Sequence, residues 1–151
     1  MFFVLWSTLV IVIYQLLNIS IFGKTNGGCM KIKTGIDIIE IERVKQSIEE
    51  TDGRFCERVY TEKEIKYCES KKIQKYQHYA ARFAAKEAVL KAISQLLKSK
   101  FDIEWKEIEI QNDENGRPYV NILKHGVHID NIDISISHCK TYAVASVVVC
   151  Y

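Results

Sequence analysis

The pattern of apolar and polar residues changes period several times after residue 30, and each change predicts a new element. Residues 30–39 alternate and then become β-branched, which predicts a first strand that leads into Asp37 near its carboxyl end. Residues 40–50 repeat apolar side chains at the i, i+3, i+7 spacing of an amphipathic helix. A strand followed directly by a helix therefore opens the folded part of the chain.

The longest helical signal covers residues 74–98, which contain neither Gly nor Pro and are rich in Ala, Leu, Lys and Glu. A shorter helix over residues 62–70 is predicted before it, because Thr61 and Glu64 have the spacing of a capping box. At about 100° per residue, the long helix directs one set of apolar side chains into the core. These are Ala81, Ala85, Ala88, Val89, Ala92 and Leu96.

The last third of the chain changes to a period of two. Residues 105–123 alternate on either side of Asn115 and Gly116, which predicts a hairpin with a tight turn. Residues 132–149 predict a second hairpin around a turn at 138–141, and its last strand is apolar on both faces, as expected of a buried strand. The predicted fold class is α+β, with one long helix packed on a mostly antiparallel sheet.

The N-terminal segment has a different character from the rest. Residues 2–22 are apolar apart from a few uncharged polar side chains, a length that can span a bilayer. No Lys or Arg precedes this run and no small-x-small cleavage pattern follows it, so it does not match a secretory signal. Residues 1–29 are either a membrane anchor or a segment upstream of a true start at Met30. The folded domain is predicted to cover residues 30–151.

Composition narrows the function class. The 151 residues are 48% hydrophobic, which is enough for one buried core. Lys and Arg number 21 against 19 Asp and Glu, so the basic excess typical of nucleic-acid-binding proteins is missing. The five cysteines are scattered and contain no CxxC pair, which favours reduced thiols in the cytoplasm. The sequence also contains no P-loop, no GxGxxG and no GxSxG motif.

Asp37, Glu87 and Lys91 are the candidates for chemistry. Glu87 and Lys91 lie one turn apart on the long helix, nearly opposite its core face, and the small side chains of Ala80 and Ala84 beside them leave room for a ligand. Two carboxylates can bind one Mg²⁺ ion, which keeps several waters and takes other oxygens from substrate phosphates. Two plainer interpretations stay open: Asp37 as a turn or capping acid, and Glu87 with Lys91 as a surface ion pair.

Five ordered motifs resemble one known family, the holo-[acyl-carrier-protein] synthases, which are small phosphopantetheinyl transferases. The resemblance runs in the same order from Met30 to the C-terminus and covers all but the first 29 residues. The motifs are GIDIIEIERV (35–44), RFAAKEAVLKA (82–92), WKEIEI (105–110), NGRPYV (115–120) and SISHCKTYAVA (135–145).

This resemblance implies a reaction. Residues 30–151 are then a phosphopantetheinyl transferase domain that moves the 4'-phosphopantetheine arm of coenzyme A to a serine of apo acyl carrier protein in fatty acid biosynthesis. Adenosine 3',5'-bisphosphate is released. Asp37 and Glu87 match the acids that hold Mg²⁺ against the coenzyme A pyrophosphate, and Lys91 matches the lysine that steadies phosphate charge. Glu87, or a water that it orients, is the candidate acceptor of the serine proton.

The resemblance also implies binding roles outside the acidic pair. Gly116 and Pro118 match the turn near the nucleotide, and Ser137 and His138 match the motif that contacts coenzyme A. Arg43 matches a basic residue that docks the acidic carrier protein. The family is typically a homotrimer with sites at subunit boundaries, so we expect a homotrimer here.

Two other functions are weighed against this one. One is a membrane-tethered binding module without catalysis, in which residues 2–22 are the functional feature. A membrane is among the partners only if residues 2–22 are a genuine anchor. A broader phosphopantetheinyl transferase, serving peptide or polyketide synthases, usually has a pseudo-duplicated chain about twice as long. The sequence shows no internal repeat, which favours the fatty-acid type.

Overall fold

The computed structural model describes residues 31–94, 96–97 and 103–151. The apolar segment 1–29 lies outside these residues, so its two interpretations, and the start of the domain at Met30, stay predictions. Among the described residues, no helix combines the length and the apolar character needed to cross a bilayer.

The described chain alternates a first strand, a run of helices and two hairpins. Its elements are β1 (Ile32–Glu40), α1 (Ile41–Glu49), α2 (Arg54–Val59), α3 (Glu62–Ser70), α4 (Lys75–Ile93), β2 (Ile108–Asn112), β3 (Pro118–Ile122), β4 (Asn131–His138) and β5 (Tyr142–Cys150). Single 3₁₀ turns precede α4 at Lys72–Gln74 and β2 at Trp105–Glu107.

The strands form antiparallel ladders, and α4 packs across them. Within the described residues, one sheet has the order β1-β5-β4 and β2 pairs with β3. The predicted α+β class, with one long helix on a mostly antiparallel sheet, is confirmed. Asp37 lies opposite Ala145, which lies opposite Ile136. Paired residues share a face, so Asp37 is on the side of the sheet that α4 covers.

Helix α4 is buried on more sides than its sequence pattern predicts. The predicted core alanines and Val89 are buried, as expected. Ala80 and Ala84 are also fully buried, so the prediction of an open alanine surface beside Glu87 is wrong. Ala84 contacts the core on the sheet side, whereas Ala80 contacts the core formed with α1, α2 and α3. The helix is therefore the middle layer between the sheet and the other helices.

Gly35 allows β1 to approach α4 closely. A Cβ atom added at Gly35 would lie 1.9 Å from the carbonyl oxygen of Ala88 and 2.8 Å from the amide nitrogen of Ala92. Both contacts are with helix backbone, which cannot turn aside as a side chain can. Only glycine fits at this crossing, and the crossing sets the distance between the strand that carries Asp37 and the helix that carries Glu87.

Several predicted boundaries differ from the structure. The helix predicted over 74–98 ends at Ile93, where the Ser94 hydroxyl donates to the Lys91 carbonyl at 2.9 Å and competes with continued helix; residue 95 and residues 98–102 lie outside the described part. Trp105, predicted in a strand, is in a 3₁₀ turn. Helix α2 was not predicted. The capping box at Thr61 and Glu64 is confirmed.

The prediction that β5 is buried on both faces is wrong for the single chain. Its residues alternate between buried and open positions, and Val148 is 40% exposed. The same open face of the sheet carries Ile36 and Ile38, each 63% exposed. No described element covers this face, although its composition is that of a buried one.

The close approach at Gly35 makes a stability prediction. Gly35→Ala is expected to destabilise the fold by about 2 kcal/mol or more, because the added methyl group overlaps helix backbone. Urea unfolding of the purified variant measures this. Lys66→Ala, on the exposed side of α3, is the control and should change the free energy of unfolding by less than about 0.5 kcal/mol. Equal stability of Gly35→Ala and wild type would contradict the account.

Candidate active site

A cleft of about 400 Å³ lies between β1, α1, α4 and the Trp105 turn. Asp37, Arg43 and Glu87, three of the residues selected from sequence, line it together. Phe83 and Trp105 form part of its apolar wall. Residues from positions 37 to 105 of the chain therefore meet around one opening.

Lys91 reaches from α4 to β1 and binds one of the acids of the cleft. Its ammonium donates to Asp37 Oδ1 at 2.7 Å and to the Ile36 carbonyl at 2.9 Å. The Asp37 side chain is 16% exposed, whereas that of Lys91 is 52% exposed. Lys91 therefore pairs with an acid on another element, and the plainer interpretation that it forms an ion pair with Glu87 along the helix is not what the structure has.

Glu87 accepts a hydrogen bond from an unexpected partner. The indole Nε1 of Trp105 donates to Glu87 Oε1 at 2.5 Å. The Trp105 ring lies 6.0 Å from the ring of Phe83, and the Arg58 guanidinium lies 5.5 Å from its centre. The sequence pattern placed Trp105 in a strand and gave it no role, and its position within the WKEIEI motif was the available signal.

A buried ion pair supports the Trp105 turn from inside. Lys86 and Glu64 have no exposed side-chain surface, and their charged groups are 2.7 Å apart. The other two protons of Lys86 go to the carbonyls of Trp105, at 2.9 Å, and Ile108, at 2.6 Å. Burial lowers the pKa of Lys86, and the Glu64 carboxylate opposes that shift. Lys86 was not singled out from sequence, because a lysine beside alanines looks like a solvated helix residue.

Glu64 serves two structural purposes. Its carboxylate accepts from the Thr61 amide at 2.8 Å, which completes the capping box, and from the Ile110 amide at 3.0 Å in β2. Glu109, also buried, accepts from the Thr61 hydroxyl at 2.9 Å and from Gln111 and Lys63. Burial raises the pKa of Glu109, but these hydrogen bonds outweigh it and leave the pKa lowered.

The remaining sequence-selected residues lie away from this cleft. Gly116 is in the β2–β3 turn with φ +80°, a conformation that favours glycine, and Pro118 begins β3. Ser137 and His138 are the last two residues of β4 and are exposed. None of these four residues is among the described residues that line the cleft.

Buried Arg82 is linked to the turn at Gly116. Its Nη2 donates to Asn112 Oδ1 at 2.8 Å, and Asn112 Nδ2 donates to the Gly116 carbonyl at 2.8 Å. The Arg82 guanidinium also lies 3.9 Å from the ring centre of Tyr67. Among the described residues, Arg82 Nε has no hydrogen-bond partner. The sequence pattern passed over Arg82 although it begins the RFAAKEA motif.

The same cluster continues to His138 through a second histidine. The His78 ring lies 5.5 Å from the Tyr67 ring and 6.0 Å from the His138 ring. Burial, together with the nearby charges of Arg82 and Lys71, lowers the pKa of His78 to about 4. The turn at Gly116 and the end of β4 therefore border one cluster that contains the positive charges of Arg82 and Lys71. None of its residues is among the described ones that line the acidic cleft.

A hard cation is the ligand that the acidic cleft suits. Asp37 and Glu87 supply carboxylate oxygens, and among the described residues no group of three or more His, Cys, Asp or Glu side chains could form a full protein cage. With only two carboxylate ligands, most of the coordination positions of a bound cation would be filled by water and substrate oxygens. This coordination is typical of Mg²⁺.

Comparison with known proteins gives the chain its family. The model of the 4'-phosphopantetheinyl transferase superfamily matches residues 33–147. A holo-[acyl-carrier-protein] synthase from Ruminiclostridium cellulolyticum is 44% identical over 126 residues, which cover 80% of this chain and 92% of that protein. The chain belongs to the holo-[acyl-carrier-protein] synthase family. A second such synthase, from Koribacter versatilis, is 39% identical over 125 residues, which are 79% of this chain and 98% of the relative.

Solved structures of holo-[acyl-carrier-protein] synthases share the fold. A synthase from Bacillus anthracis, crystallised in complex with CoA (3',5'-ADP), has a TM-score of 0.67 and 33% identity, and the match covers 81% of this chain and 98% of that one. A synthase from Helicobacter pylori in complex with coenzyme A has a TM-score of 0.65 and 29% identity, with 77% and 98% covered. The family expected from the five motifs is confirmed.

The buried Lys86–Glu64 pair predicts a large loss of stability when it is broken. Lys86→Met is expected to cost about 3–5 kcal/mol, because it leaves the Glu64 carboxylate buried without its partner. The double variant Glu64→Gln, Lys86→Met should recover part of that loss, since no charge is then left unpaired. Denaturant unfolding measures both. A Lys86→Met cost below about 1 kcal/mol would show that the pair is not what holds the Trp105 turn.

Proposed function

We propose that the protein transfers the 4'-phosphopantetheine group of coenzyme A to a serine of apo acyl carrier protein, in fatty acid biosynthesis, and releases adenosine 3',5'-bisphosphate. The observation that carries the proposal is the meeting of Asp37 and Glu87 at one cleft, with Lys91 bound to Asp37, on the scaffold of this family. A membrane-tethered binding module is not favoured, because the relatives matched over most of the chain are named as synthases. We place the reaction in the cytoplasm, where free thiols stay reduced.

Magnesium is the proposed cofactor, and Asp37 and Glu87 are the residues that would hold it. Oδ1 of Asp37 accepts a hydrogen bond from Lys91, and Oε1 of Glu87 accepts one from Trp105. Each carboxylate therefore has a second oxygen that could bind a cation. When bound, the ion neutralises the negative charge of the coenzyme A pyrophosphate and of the leaving group. A phosphoryl-type transfer depends mainly on positioning and charge, and these residues supply both.

The chain's own side chains account for the remaining requirements of the reaction. The carrier serine oxygen attacks the phosphorus on the pantetheine side, a P–O bond forms, and the P–O bond to the adenosine bisphosphate breaks. Glu87 accepts the serine proton, directly or through one water. Lys91, whose ammonium is half-exposed beside Asp37, is placed to pair with the charge that accumulates on the departing phosphate.

Arg43 is the proposed docking residue for the carrier protein. It lies on the exposed side of α1 and lines the same cleft as Asp37 and Glu87. A cation at the rim attracts an acidic partner and sets its orientation before the serine enters. The docking surface and the reacting carboxylates are thus parts of one opening.

A homotrimer with sites at subunit boundaries is the proposed assembly. The open face of the β1-β5-β4 sheet exposes Ile36, Ile38 and Val148, which is unusual for a sheet in a stable monomer. Ser137 lies opposite Val144 and shares this open face. A neighbouring subunit on this face would stand next to the coenzyme A residues Ser137 and His138, which lie apart from the acidic cleft within one chain. Gly116 is linked to Arg82 through Asn112, which also pairs with Pro118 in the β2–β3 ladder.

Removal of either carboxylate charge should abolish most of the activity without unfolding the protein. Glu87→Gln and Asp37→Asn are each expected to lower the rate of holo-carrier formation by at least about a hundredfold, because the metal loses a ligand. Intact-mass measurement of the carrier over time gives the rate. Glu62→Gln, on the exposed first turn of α3, is the matched control and should retain full rate. Retained activity in both site variants would rule out the metal assignment.

A charge on the open sheet face should dissociate the assembly. Ile36→Glu is expected to convert the trimer to monomers and to reduce coenzyme A binding, because a carboxylate cannot be buried between subunits without a partner. Light scattering after size exclusion measures the mass. Ile73→Glu, at an isoleucine that is 98% exposed outside the sheet, should remain trimeric. A wild-type protein that is monomeric at micromolar concentration would contradict the proposed assembly.

A further inference from the structure

Glu87 and Trp105 stand at the junction of two clefts. The first is the acidic cleft, lined by Asp37, Arg43 and Glu87. The second has a volume of about 470 Å³, and its other lining residues are Leu90, Lys91, Ser94 and Leu97. Glu87 and Trp105 line both. The orientation of the Glu87 carboxylate therefore decides which of the two clefts its second oxygen faces. A defined metal site requires that this orientation be fixed.

Trp105 is the group that holds one oxygen of Glu87. Its indole nitrogen can only donate, and it donates to Oε1 at 2.5 Å. A donor at this distance fixes the rotation of the carboxylate about the last side-chain bond. Oε2 is then directed by the same constraint, since the two oxygens are rigidly joined.

Trp105 is itself fixed at both ends. Its carbonyl oxygen accepts from the buried Lys86 ammonium, which also binds the Ile108 carbonyl at the other end of the 3₁₀ turn. Its ring is confined between Phe83 and the guanidinium of Arg58. The neighbouring residues Lys86 and Glu87 on α4 thus act on the same tryptophan, one on its backbone and one on its indole.

We propose that Trp105 is a positioning residue for Glu87: its N–H holds one carboxylate oxygen so that the other is presented to the cation, and the buried Lys86–Glu64 pair keeps the Trp105 turn in place. The inference rests on the proposed function, because it deepens the role of Glu87 in that reaction. Loss of a hydrogen bond that orients a metal ligand commonly lowers metal affinity by roughly 10–100-fold.

Two substitutions separate the hydrogen bond from the packing. Trp105→Phe keeps a ring for Phe83 and Arg58 but removes the N–H donor. Trp105→His keeps an N–H at the equivalent position of a five-membered ring but removes the outer ring that packs. Binding of Mn²⁺, a spectroscopic substitute for Mg²⁺, is measured by electron paramagnetic resonance with the full-length protein and coenzyme A present.

The expected order of Mn²⁺ affinity is wild type, then Trp105→His, then Trp105→Phe. The Phe variant should bind about tenfold or more weakly, whereas the His variant should stay within about threefold of wild type. The Phe variant should also show a lower kcat with an unchanged KM for the carrier. The reverse order of His and Phe would assign Trp105 to packing alone and overturn the proposal, as would equal affinities.

Controls distinguish the ways in which the proposal can fail. Tyr76→Phe removes another aromatic donor to a glutamate, the 2.9 Å bond from the Tyr76 hydroxyl to exposed Glu49, and should leave Mn²⁺ binding unchanged. If wild type transfers no phosphopantetheine and binds no Mn²⁺, the proposed function has failed. If wild type does both and Trp105→Phe matches it, only the role of Trp105 has failed.

A change that preserves ring shape covers the case in which Trp105→Phe does not fold. Benzothienylalanine, incorporated in place of tryptophan, keeps the bicyclic ring and replaces the N–H with sulfur. The same loss of Mn²⁺ affinity is expected with this substitution, and affinity equal to wild type would overturn the proposal.

Discussion

The close approach of β1 to α4 at Gly35 is the constraint on which the site depends. Because the strand backbone lies directly against the helix backbone at Ala88, Asp37, two residues further along β1, comes within reach of Lys91 on the next turn of the helix. A larger residue at position 35 would separate the two elements, and Asp37 and Glu87 would no longer share a cleft. The alanines on the other sides of α4 likewise allow close packing, because the helix is the middle layer between the sheet and the other helices.

A second constraint comes from charges placed where solvent cannot reach them. Lys86 and Glu64 are buried together, and burying an ion pair seldom stabilises a protein more than apolar side chains of the same size would. What the pair provides is specificity of position, because three donors on Lys86 meet acceptors on α3, on the Trp105 turn and on β2. The turn that closes the cleft is thereby tied to the helix that carries Glu87.

Much of this architecture follows from the sequence pattern, and the exceptions have physical reasons. The strands, helices α1, α3 and α4, the capping box at Thr61 and the class of fold were predictable because each rests on local periodicity or local hydrogen bonding. Burial of Lys86 and the indole bond to Glu87 were not, since they depend on contacts between segments about 20 residues apart. The open face of β5 is a different kind of exception. Its apolar pattern predicts burial, but no described element of the single chain covers it.

The central claim is that this chain modifies an acyl carrier protein, and the mass of the carrier tests it most directly. Purified apo carrier is incubated with the full-length protein, coenzyme A and magnesium, with a parallel sample that contains a chelator. The account predicts a gain of one phosphopantetheine group that disappears in the chelated sample. No gain with folded protein and a competent carrier would contradict the proposed reaction, and a gain that survives the chelator would contradict the role given to Asp37 and Glu87.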